Sequence, residues 1–344
     1  TPSVVNIAVA GTAATRRNPL FNDPFFRRFF DIPEQQAPVQ RTQAVGSGVI
    51  IDARKGYVLT NHHVINRAEQ VLVTLQNQRQ YEAEIIGSDE QTDVALLQIE
   101  ADGLEALEFG NSDKVEVGDF VLAIGNPFGL GQTVTSGIVS ALGRSGLTQE
   151  GYEDFIQTDA SINVGNSGGA LVDIDGNLIG INTAIIAPAG GNVGIGFAIP
   201  TRIVQAVMDQ LIEYGEVRRG RLGVYIQDLT PGLADALDIK VAEGAVITQV
   251  EVDSAAEAAG LAAGDIVTAI DGEPVTSARD LRNRIGVRRV GDKIEIDYLR
   301  DGRTRTAEAE ILQASATSLV AGNRFERLEG AEFRNLTRDD PQYG

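Results

Sequence analysis

Between residues 45 and 200 the chain is divided into short runs of apolar and β-branched residues, each bounded by turn-forming residues. Runs of this kind predict β-strands. The predicted strands are Gly48–Asp52, Tyr57–Thr60, Gln70–Leu75, Tyr81–Ile86, Val94–Ile99, Phe120–Gly125, Val134–Leu142, Gly169–Ile174 and Leu178–Ile186. Because no helical pattern is interleaved among them, a parallel α/β sheet is excluded, and an antiparallel barrel or sandwich is predicted.

The periodicity changes after Pro200. Apolar residues recur at helical spacing from Ile203 to Ile212, which predicts a helix that ends at Gly215. Mixed strands follow, together with one helix that Ser277 is expected to cap. The predicted organisation is a first domain over 1–214, a linker over 215–221, a small α/β domain over 222–315 and a further segment over 316–344.

Composition excludes several classes of function. The 344 residues carry a formal net charge of −19, and a negative field of this size repels nucleic-acid phosphates and anionic lipids. No apolar run approaches the ~18–20 residues of a membrane helix, so stable membrane insertion is not expected. The absence of cysteine excludes disulfides, thiolate catalysis and Cys-ligated zinc.

The segment 16–41 departs from this composition. It holds five phenylalanines and four prolines, and its five arginines against three acidic residues give it a local charge of +2. We expect a protruding contact loop, because exposed aromatic side chains generally need a partner or substrate. A flexible linker is the alternative.

The chain has two histidines, His62 and His63, and no other side chain titrates near neutral pH without perturbation. Adjacent residues of an extended chain point to opposite sides, so at most one of the two is expected at a shared site. A metal site formed by both histidines and Asp93 is disfavoured, because neighbouring histidines are poorly placed to converge on one ion.

Ser167 lies in Gly-Asn-Ser-Gly-Gly, which leaves the backbone uncrowded on both sides of a hydroxyl. An attacking Oγ with nearby N–H donors needs this arrangement. The motif also fits the nucleophile elbow of α/β-hydrolases, but those enzymes run serine, acid, histidine, and no histidine follows Ser167. The order His63, Asp93, Ser167 is instead that of chymotrypsin.

These residues lie in blocks that resemble the HtrA/Deg serine proteases, of the DegQ/DegP type. The blocks are Thr-Asn-His-His-Val, Thr-Asp-Val-Ala-Leu-Leu, Gly-Asn-Ser-Gly-Gly-Ala-Leu, Gly-Asn-Pro-Phe-Gly-Leu and Gly-Ile-Gly-Phe-Ala-Ile-Pro. The resemblance implies an all-β, chymotrypsin-like double β-barrel protease domain followed by a small α/β PDZ domain. The stretch 328–333 resembles the opening of a second, truncated PDZ domain.

The resemblance also implies a role for individual residues. Ser167 would be the nucleophile, His63 the general base and acid, and Asp93 the orienting carboxylate. The oxyanion hole would be formed by Gly165, Asn166 and Ser167, with the N–H groups of Gly165 and Ser167 as donors. No metal or other cofactor is implied.

Further residues are matched outside the triad. An uncharged S1 pocket for small aliphatic side chains would be formed by Ser161, Ile162 and Ile185. Arg144 would be the regulatory sensor of activation. The peptide groove of the PDZ domain would involve Leu222, Gly223, Val224, Ile226, Leu281 and Ile285. The last two are equally well explained as core residues.

The implied function is ATP-independent endoproteolysis of unfolded or misfolded envelope proteins. It would be regulated by peptides with apolar C-termini at the PDZ domain and by assembly into a homotrimer or larger cages. The implied location is the periplasm, with no signal peptide in this chain, which starts at Thr1. The alternative is a chaperone or holdase that binds unfolded chains, with proteolysis secondary or switched off.

Overall fold

The computed structural model describes residues 1–12, 41–127, 131–145, 151–163, 165–185, 194–236, 239 and 243–313. The strands of the first unit are β1 (Val4–Thr12), β2 (Arg41–Asp52), β3 (Tyr57–Thr60), β4 (Gln70–Thr74), β5 (Gln80–Asp89), β6 (Val94–Ile99), β7 (Phe120–Gly125), β8 (Thr133–Arg144), β9 (Phe155–Thr158), β10 (Ala170–Val172), β11 (Leu178–Ile185) and β12 (Gly196–Pro200). Those of the second unit are β13 (Gly220–Arg221), β14 (Val224–Asp228), β15 (Ala245–Val250), β16 (Ile266–Ile270), β17 (Glu273–Pro274), β18 (Lys293–Arg300), β19 (Arg303–Glu310) and β20 (Leu312–Gln313). The α-helices are α1 (His62–Ile65), α2 (Thr201–Tyr214), α3 (Pro231–Ala236), α4 (Ala255–Ala258) and α5 (Ala278–Gly286).

The strands of the first unit close into two antiparallel six-stranded barrels. Their orders are β1-β2-β3-β6-β5-β4 and β10-β11-β12-β9-β8-β7. Alternate positions along the strands fill each barrel, as Ile7 and Leu97 do in the first and Ile156 and Leu171 in the second. The predicted all-β double barrel is therefore confirmed.

Three strands that close the barrels were absent from the sequence-based prediction: β1, β9 and β12. β1 pairs with β2 and β4, and the Phe-rich segment separates it from β2 in the chain. β9 has four residues, and it pairs with both β8 and β12. Short strands of this kind are defined by their neighbours in the barrel rather than by their own apolar pattern.

Helix α2 packs against the seam between the barrels. It buries Val204, Val207 and Leu211 in the apolar cluster that contains residues of both barrels. Gly215 ends it in the left-handed conformation, with φ 74° and its N–H bound to Leu211 O at 2.9 Å. The predicted helix and its stop at Gly215 are confirmed.

The second unit is the small α/β domain that the sequence predicts. Its main sheet has the order β14-β15-β16-β18-β19, with β17 beside β16, and α5 packs against its strands. Ser277 caps α5, because its side chain accepts the Asp280 N–H at 3.0 Å. Within the described residues β14 is paired on one side only, so it is an edge strand.

The two units contact each other through α5 and the segment that leads into β9. The Asn283 amide donates to Glu153 O and the Arg282 guanidinium to Gly151 O, each at 2.5 Å. The ring of Tyr152 lies between the guanidinium groups of Arg219 and Arg282, 4.3 and 5.0 Å from its centroid. The helix of the second unit is thus bound to a segment of the first unit.

A buried carboxylate lies in the same contact. Burial raises the pKa of Asp154, an effect that the nearby Asp280 increases and the Arg202 and Arg284 guanidinium groups oppose. Asp154 forms an ion pair with Arg202. It borders a cleft of about 270 Å³, which Asp280 and Arg284 line from the second unit.

Two predicted segments lie outside the described residues: the stretch 316–344 and, apart from Arg41, the Phe-rich segment 16–41. In the part of the chain that is described, no helix has the length and apolar character needed to cross a membrane.

Gly286→Ala tests the contact between the units. A Cβ at residue 286 would lie 2.0 Å from Cε1 of Tyr152. We expect a loss of about 1–3 kcal/mol in the free energy of unfolding from this overpacking, measured by denaturant titration. In a Tyr152→Ala background the same change is expected to have little effect or to stabilise the helix. An equal loss in both backgrounds would show that the two residues do not act through this contact.

Candidate active site

The three catalytic candidates meet at the seam between the barrels. His63 follows β3 by three residues, and Asp93 immediately precedes β6. These strands pair with Thr60 opposite Ala95, so the two side chains extend from neighbouring strand ends. Ser167 precedes β10 in the second barrel, and the Ser47 N–H of the first barrel donates to its carbonyl at 2.8 Å.

Asp93 is bound to His63 through both backbone and side chain. His63 Nδ1 lies 2.8 Å from Oδ2 and 3.0 Å from Oδ1 of Asp93, and the His63 backbone N–H donates to Oδ1 at 2.9 Å. A ring whose Nδ1–H is held by a carboxylate has Nε2 left to accept a proton. This geometry suits a general base.

The environment of Asp93 favours its charged form. Burial by itself would raise the pKa of the carboxyl, but the hydrogen bonds from His63 and Thr183 outweigh it, and the pKa lies below its ordinary value. Asp93 also has a φ of 57°, a left-handed conformation that aspartate adopts more readily than most residues.

The two histidines begin a helical turn and not the extended chain assumed from the sequence. Residues His62–Ile65 form α1, because the His62 N–H donates to Asp93 O and the Val64 N–H to Asn61 O. The His62 ring nitrogen Nδ1 lies 3.0 Å from Ser88 Oγ, so the ring contacts a different group from that of His63. Within the described residues no cluster of three His, Asp or Glu side chains is arranged to hold a metal ion.

Thr183 is a site residue that the sequence analysis missed. Its hydroxyl donates to Asp93 Oδ2 at 2.5 Å, and its carbonyl accepts the Ser167 hydroxyl at 3.0 Å. Thr183 lies in β11, in Gly-Ile-Asn-Thr, where no motif marks it. Only the closure of the second barrel places this strand beside Asp93.

The Ser167 hydroxyl is directed toward Thr183 rather than His63. Among the described residues no hydrogen bond joins Ser167 Oγ to His63. The His63 ring contacts Asp93, the Ser167 hydroxyl contacts Thr183, and Asp93 and Thr183 are bonded to each other. A change in the Ser167 side-chain torsion is therefore needed to bring its proton to Nε2.

The predicted oxyanion residues Gly165, Asn166 and Ser167 lie in a tight turn. Gly165 has a φ of 99°, and a Cβ there would lie 2.5 Å from that of Pro127, so only glycine fits. The Asn166 N–H donates to Asn163 O at 3.0 Å. Within the described residues the N–H groups of Gly165 and Ser167 have no acceptor. Val164 lies outside these residues.

The predicted S1 residues differ in exposure. Ser161 is exposed, whereas Ile162 is buried and packs where a Cβ of Gly196 would otherwise lie, 2.9 Å from its Cδ1. Ile185 pairs with Gly196 in the β11–β12 ladder, and its side chain is outside the described part. The structure thus brings the backbone of Ile185 and the side chain of Ile162 to the same glycine.

Arg144 is the last residue of β8, and its side chain is exposed. Its Nε donates to Gln157 Oε1 at 2.9 Å, and its backbone pairs with Phe155. It therefore contacts β9, the strand that follows the segment bound by α5.

The predicted groove residues divide between strand and core. Val224 and Ile226 lie on the edge strand β14, and Gly223 precedes it with a φ of 80°. Leu222 is buried, and Leu281 and Ile285 of α5 are only 1% and 5% exposed. The last two are packed in the core of the second unit, as the alternative reading of the sequence holds.

Comparison with known proteins gives the family. A sequence model of the trypsin-like peptidase domain matches residues 46–181, and one of the PDZ domain matches residues 220–311. The chain is 46% identical to the periplasmic serine endoprotease DegP of Salmonella typhimurium, over 98% of this chain and 76% of that protein. It is 48% identical to the periplasmic pH-dependent serine endoprotease DegQ of Escherichia coli, over 96% and 72%. The chain belongs to the HtrA family of serine proteases.

Solved HtrA structures agree with this assignment. The HtrA-type protease AlgW, determined with a decapeptide, has a TM-score of 0.65 and 46% identity over 91% of this chain and 96% of its own. The two units described above are therefore an HtrA protease domain and a PDZ domain, and the chain is a serine peptidase.

Asp93→Asn tests the carboxylate in this HtrA site. An amide cannot hold the Nδ1–H tautomer in the same way, so we expect kcat/KM for a chromogenic peptide to fall by about 10³–10⁴-fold. Asp119→Asn, at an exposed loop carboxylate that accepts the Glu116 N–H, is the control. A loss below tenfold for Asp93→Asn would contradict the orienting role.

The lowered pKa of Asp93 also predicts a pH dependence of stability. The folded chain holds this carboxyl ionised, so its contribution is present above the ordinary value of 3.8 and is lost as the pH falls through the folded-state pKa. The difference in the free energy of unfolding between wild type and Asp93→Asn is expected to be largest well above pH 3.8 and to shrink as the pH falls below that value. A difference that grows toward low pH would contradict the sign.

Proposed function

We propose that this HtrA protein is an endopeptidase in which Ser167 attacks the peptide carbonyl. The proposal depends on one observation: the His63–Asp93 pair and Ser167 meet at Thr183. The Ser167 hydroxyl rotates away from the Thr183 carbonyl and gives its proton to His63 Nε2. At the same time Ser167 Oγ bonds to the carbonyl carbon of the peptide. Asp93 holds Nδ1–H and stabilises the imidazolium ion.

His63 then acts as the acid. The imidazolium ion gives its proton to the leaving amine, the C–N bond breaks, and an acyl group stays on Ser167 Oγ. Water, deprotonated by His63, releases the acyl group and restores the serine. The N–H groups of Gly165 and Ser167, which have no acceptor among the described residues, are the proposed donors to the oxyanion.

The substrates we propose are unfolded or misfolded polypeptides with small aliphatic residues before the scissile bond. Ile162 packs against Gly196, and Ser161 carries no charge, so a pocket that these residues form with Ile185 would hold no carboxylate for lysine or arginine. Apolar segments of this kind are exposed in unfolded chains and buried in native ones.

The proposed regulator is a peptide with an apolar C-terminus that binds the PDZ domain. Among the described residues one edge of β14 has no paired strand, which supports this proposal, because an extended peptide can add to it as a further strand. The N–H groups around Leu222, Gly223 and Val224 are the proposed contacts of the terminal carboxylate, with Ile226 along the strand. Leu281 and Ile285 would have to move from their core positions to contact the apolar side chain of the bound peptide.

The contact between the units supports coupling of this groove to the protease. Helix α5 binds Gly151 and Glu153, and these residues lead into β9, whose Gln157 is bound by the proposed sensor Arg144. We further propose a homotrimer, or larger cages built from it, and a periplasmic location, in line with the relatives named periplasmic proteases.

A second candidate function is that of a chaperone that holds unfolded chains with proteolysis switched off. The bond from Ser167 Oγ to Thr183 O favours it, because a serine held there is not positioned for proton transfer to His63.

Cleavage of an unfolded protein such as casein by wild type and Ser167→Ala tests the proposal. We expect loss of essentially all cleavage in the variant, at unchanged melting temperature, because the hydroxyl is the attacking group. Thr201→Val, which removes a hydroxyl that donates to Gly110 O outside the proposed site, is the control for a lost hydrogen bond. Cleavage retained by Ser167→Ala would contradict the proposal, and suppression of aggregation without cleavage in wild type would favour the chaperone.

Peptide activation is tested with two versions of one peptide that ends in an apolar residue. The version with a free C-terminal carboxylate is expected to bind and to raise the rate of casein cleavage, because its charge is held by backbone N–H groups. The amidated version is expected to do neither. Equal activation by both would contradict carboxylate recognition.

A further inference from the structure

Ser47 lies at the point where the first barrel touches the loop that carries the nucleophile. It is fully buried in β2, between Gly46 and Gly48. Its backbone N–H donates to Ser167 O at 2.8 Å, and its carbonyl accepts the Thr60 hydroxyl at 2.8 Å. The backbone of Ser47 is therefore fixed against the second barrel.

The Ser47 side chain joins two further segments of the second barrel. Its hydroxyl donates to Gly165 O at 2.6 Å and accepts the Asn126 N–H at 2.8 Å. The hydroxyl satisfies both groups in a seam where water does not reach them, since Asn126 and Gly165 are also buried.

The nucleophile loop lies against β2 at Ser47. A Cβ at Gly168 would lie 2.1 Å from Ser47 O, and a Cβ at Gly46 would lie 3.3 Å from Ser167 O. The backbones of the two segments are therefore in direct contact. Within such a loop, conformational freedom is greatest at glycine.

Gly165 is the residue with that freedom, because glycine can rotate through both signs of φ. The peptide group between Gly165 and Asn166 is nevertheless held at both ends. Its carbonyl accepts the Ser47 hydroxyl, and its N–H donates to Asn163 O. The N–H groups on either side of it, those of Gly165 and Ser167, are the donors without an acceptor in the described chain.

We propose that Ser47 is a positioning residue for acyl transfer. Its hydroxyl fixes the Gly165–Asn166 peptide so that the two flanking N–H groups converge on the substrate oxygen. The inference rests on the proposed role of Ser167 as nucleophile. Ser47 acts through the backbone of the loop and does not touch the substrate.

This role predicts a selective kinetic effect. Donors aimed at the oxyanion stabilise the transition state more than the bound substrate, so their misalignment lowers kcat and leaves KM nearly unchanged. A residue that only joins the barrels would instead lower thermal stability, with activity lost in proportion to the unfolded fraction.

The test compares Ser47→Ala with Thr201→Val. Thr201 is also fully buried, and its hydroxyl donates to Gly110 O at 3.0 Å, outside the proposed site. For each purified full chain we would measure the melting temperature, kcat and KM for a chromogenic peptide, and the inhibition constant of a peptide boronic acid. The boronic acid forms a bond from Ser167 Oγ to boron and places an oxygen where the oxyanion would lie.

Ser47→Ala is expected to lower kcat by at least about tenfold, with KM within about twofold of wild type. The inhibition constant of the boronic acid is expected to rise by a factor similar to the loss of kcat. Thr201→Val is expected to lower the melting temperature to a comparable degree while kcat stays within about twofold. A kcat for Ser47→Ala within twofold of wild type, or a loss matched by Thr201→Val, would overturn the inference.

Two further variants separate the possible failures. Ser47→Cys preserves the shape of the side chain, but its thiol forms only weak hydrogen bonds. It is therefore expected to have a kcat between those of wild type and Ser47→Ala, and it replaces Ser47→Ala if that variant does not fold. Full activity of Ser47→Cys would then overturn the inference. Ser167→Ala, assayed in parallel, is expected to be inactive. Activity there would contradict the proposed function itself rather than the role of Ser47.

Discussion

The Asp93 carboxylate is the group on which the site depends, because both barrels bind it. His63 of the first barrel donates to it from backbone and ring, and Thr183 of the second donates its hydroxyl. These donors outweigh the burial that would otherwise raise the pKa of the carboxyl. Thr183 also receives the Ser167 hydroxyl, so one strand residue links the carboxylate to the proposed nucleophile.

The contact between the two domains connects the site to the PDZ domain. Helix α5 binds the segment 151–153 through Arg282 and Asn283, and the Tyr152 N–H donates to Gln91 O, two residues before Asp93. The segment that α5 binds is therefore hydrogen-bonded to the loop of Asp93 and continues into β9. Asp154 lies in this contact among two arginines and a second acid, and burial raises the pKa of its carboxyl.

Apolar patterns in the sequence were sufficient to predict nine of the barrel strands and the α2 helix. Contiguous motifs carried the resemblance to the family, and that resemblance implied the double barrel. It did not predict Thr183 or Ser47, which lie in ordinary strands and acquire their roles only from barrel closure. The orientation of His62 was inferred from extended geometry, yet α1 is a helical turn stabilised by a bond to Asp93 O. Tertiary hydrogen bonds overrode the local expectation at each of these positions.

We infer that Asp93 holds His63 through Nδ1 and thereby leaves Nε2 to act as the base. Nitrogen-15 NMR of histidine-labelled protein tests it directly, because the chain contains only two histidines and His62→Gln identifies the second signal. Neutral His63 is expected to be in the Nδ1–H tautomer in wild type and to lose this preference in Asp93→Asn. An Nε2–H tautomer in wild type, or no change in the variant, would contradict it.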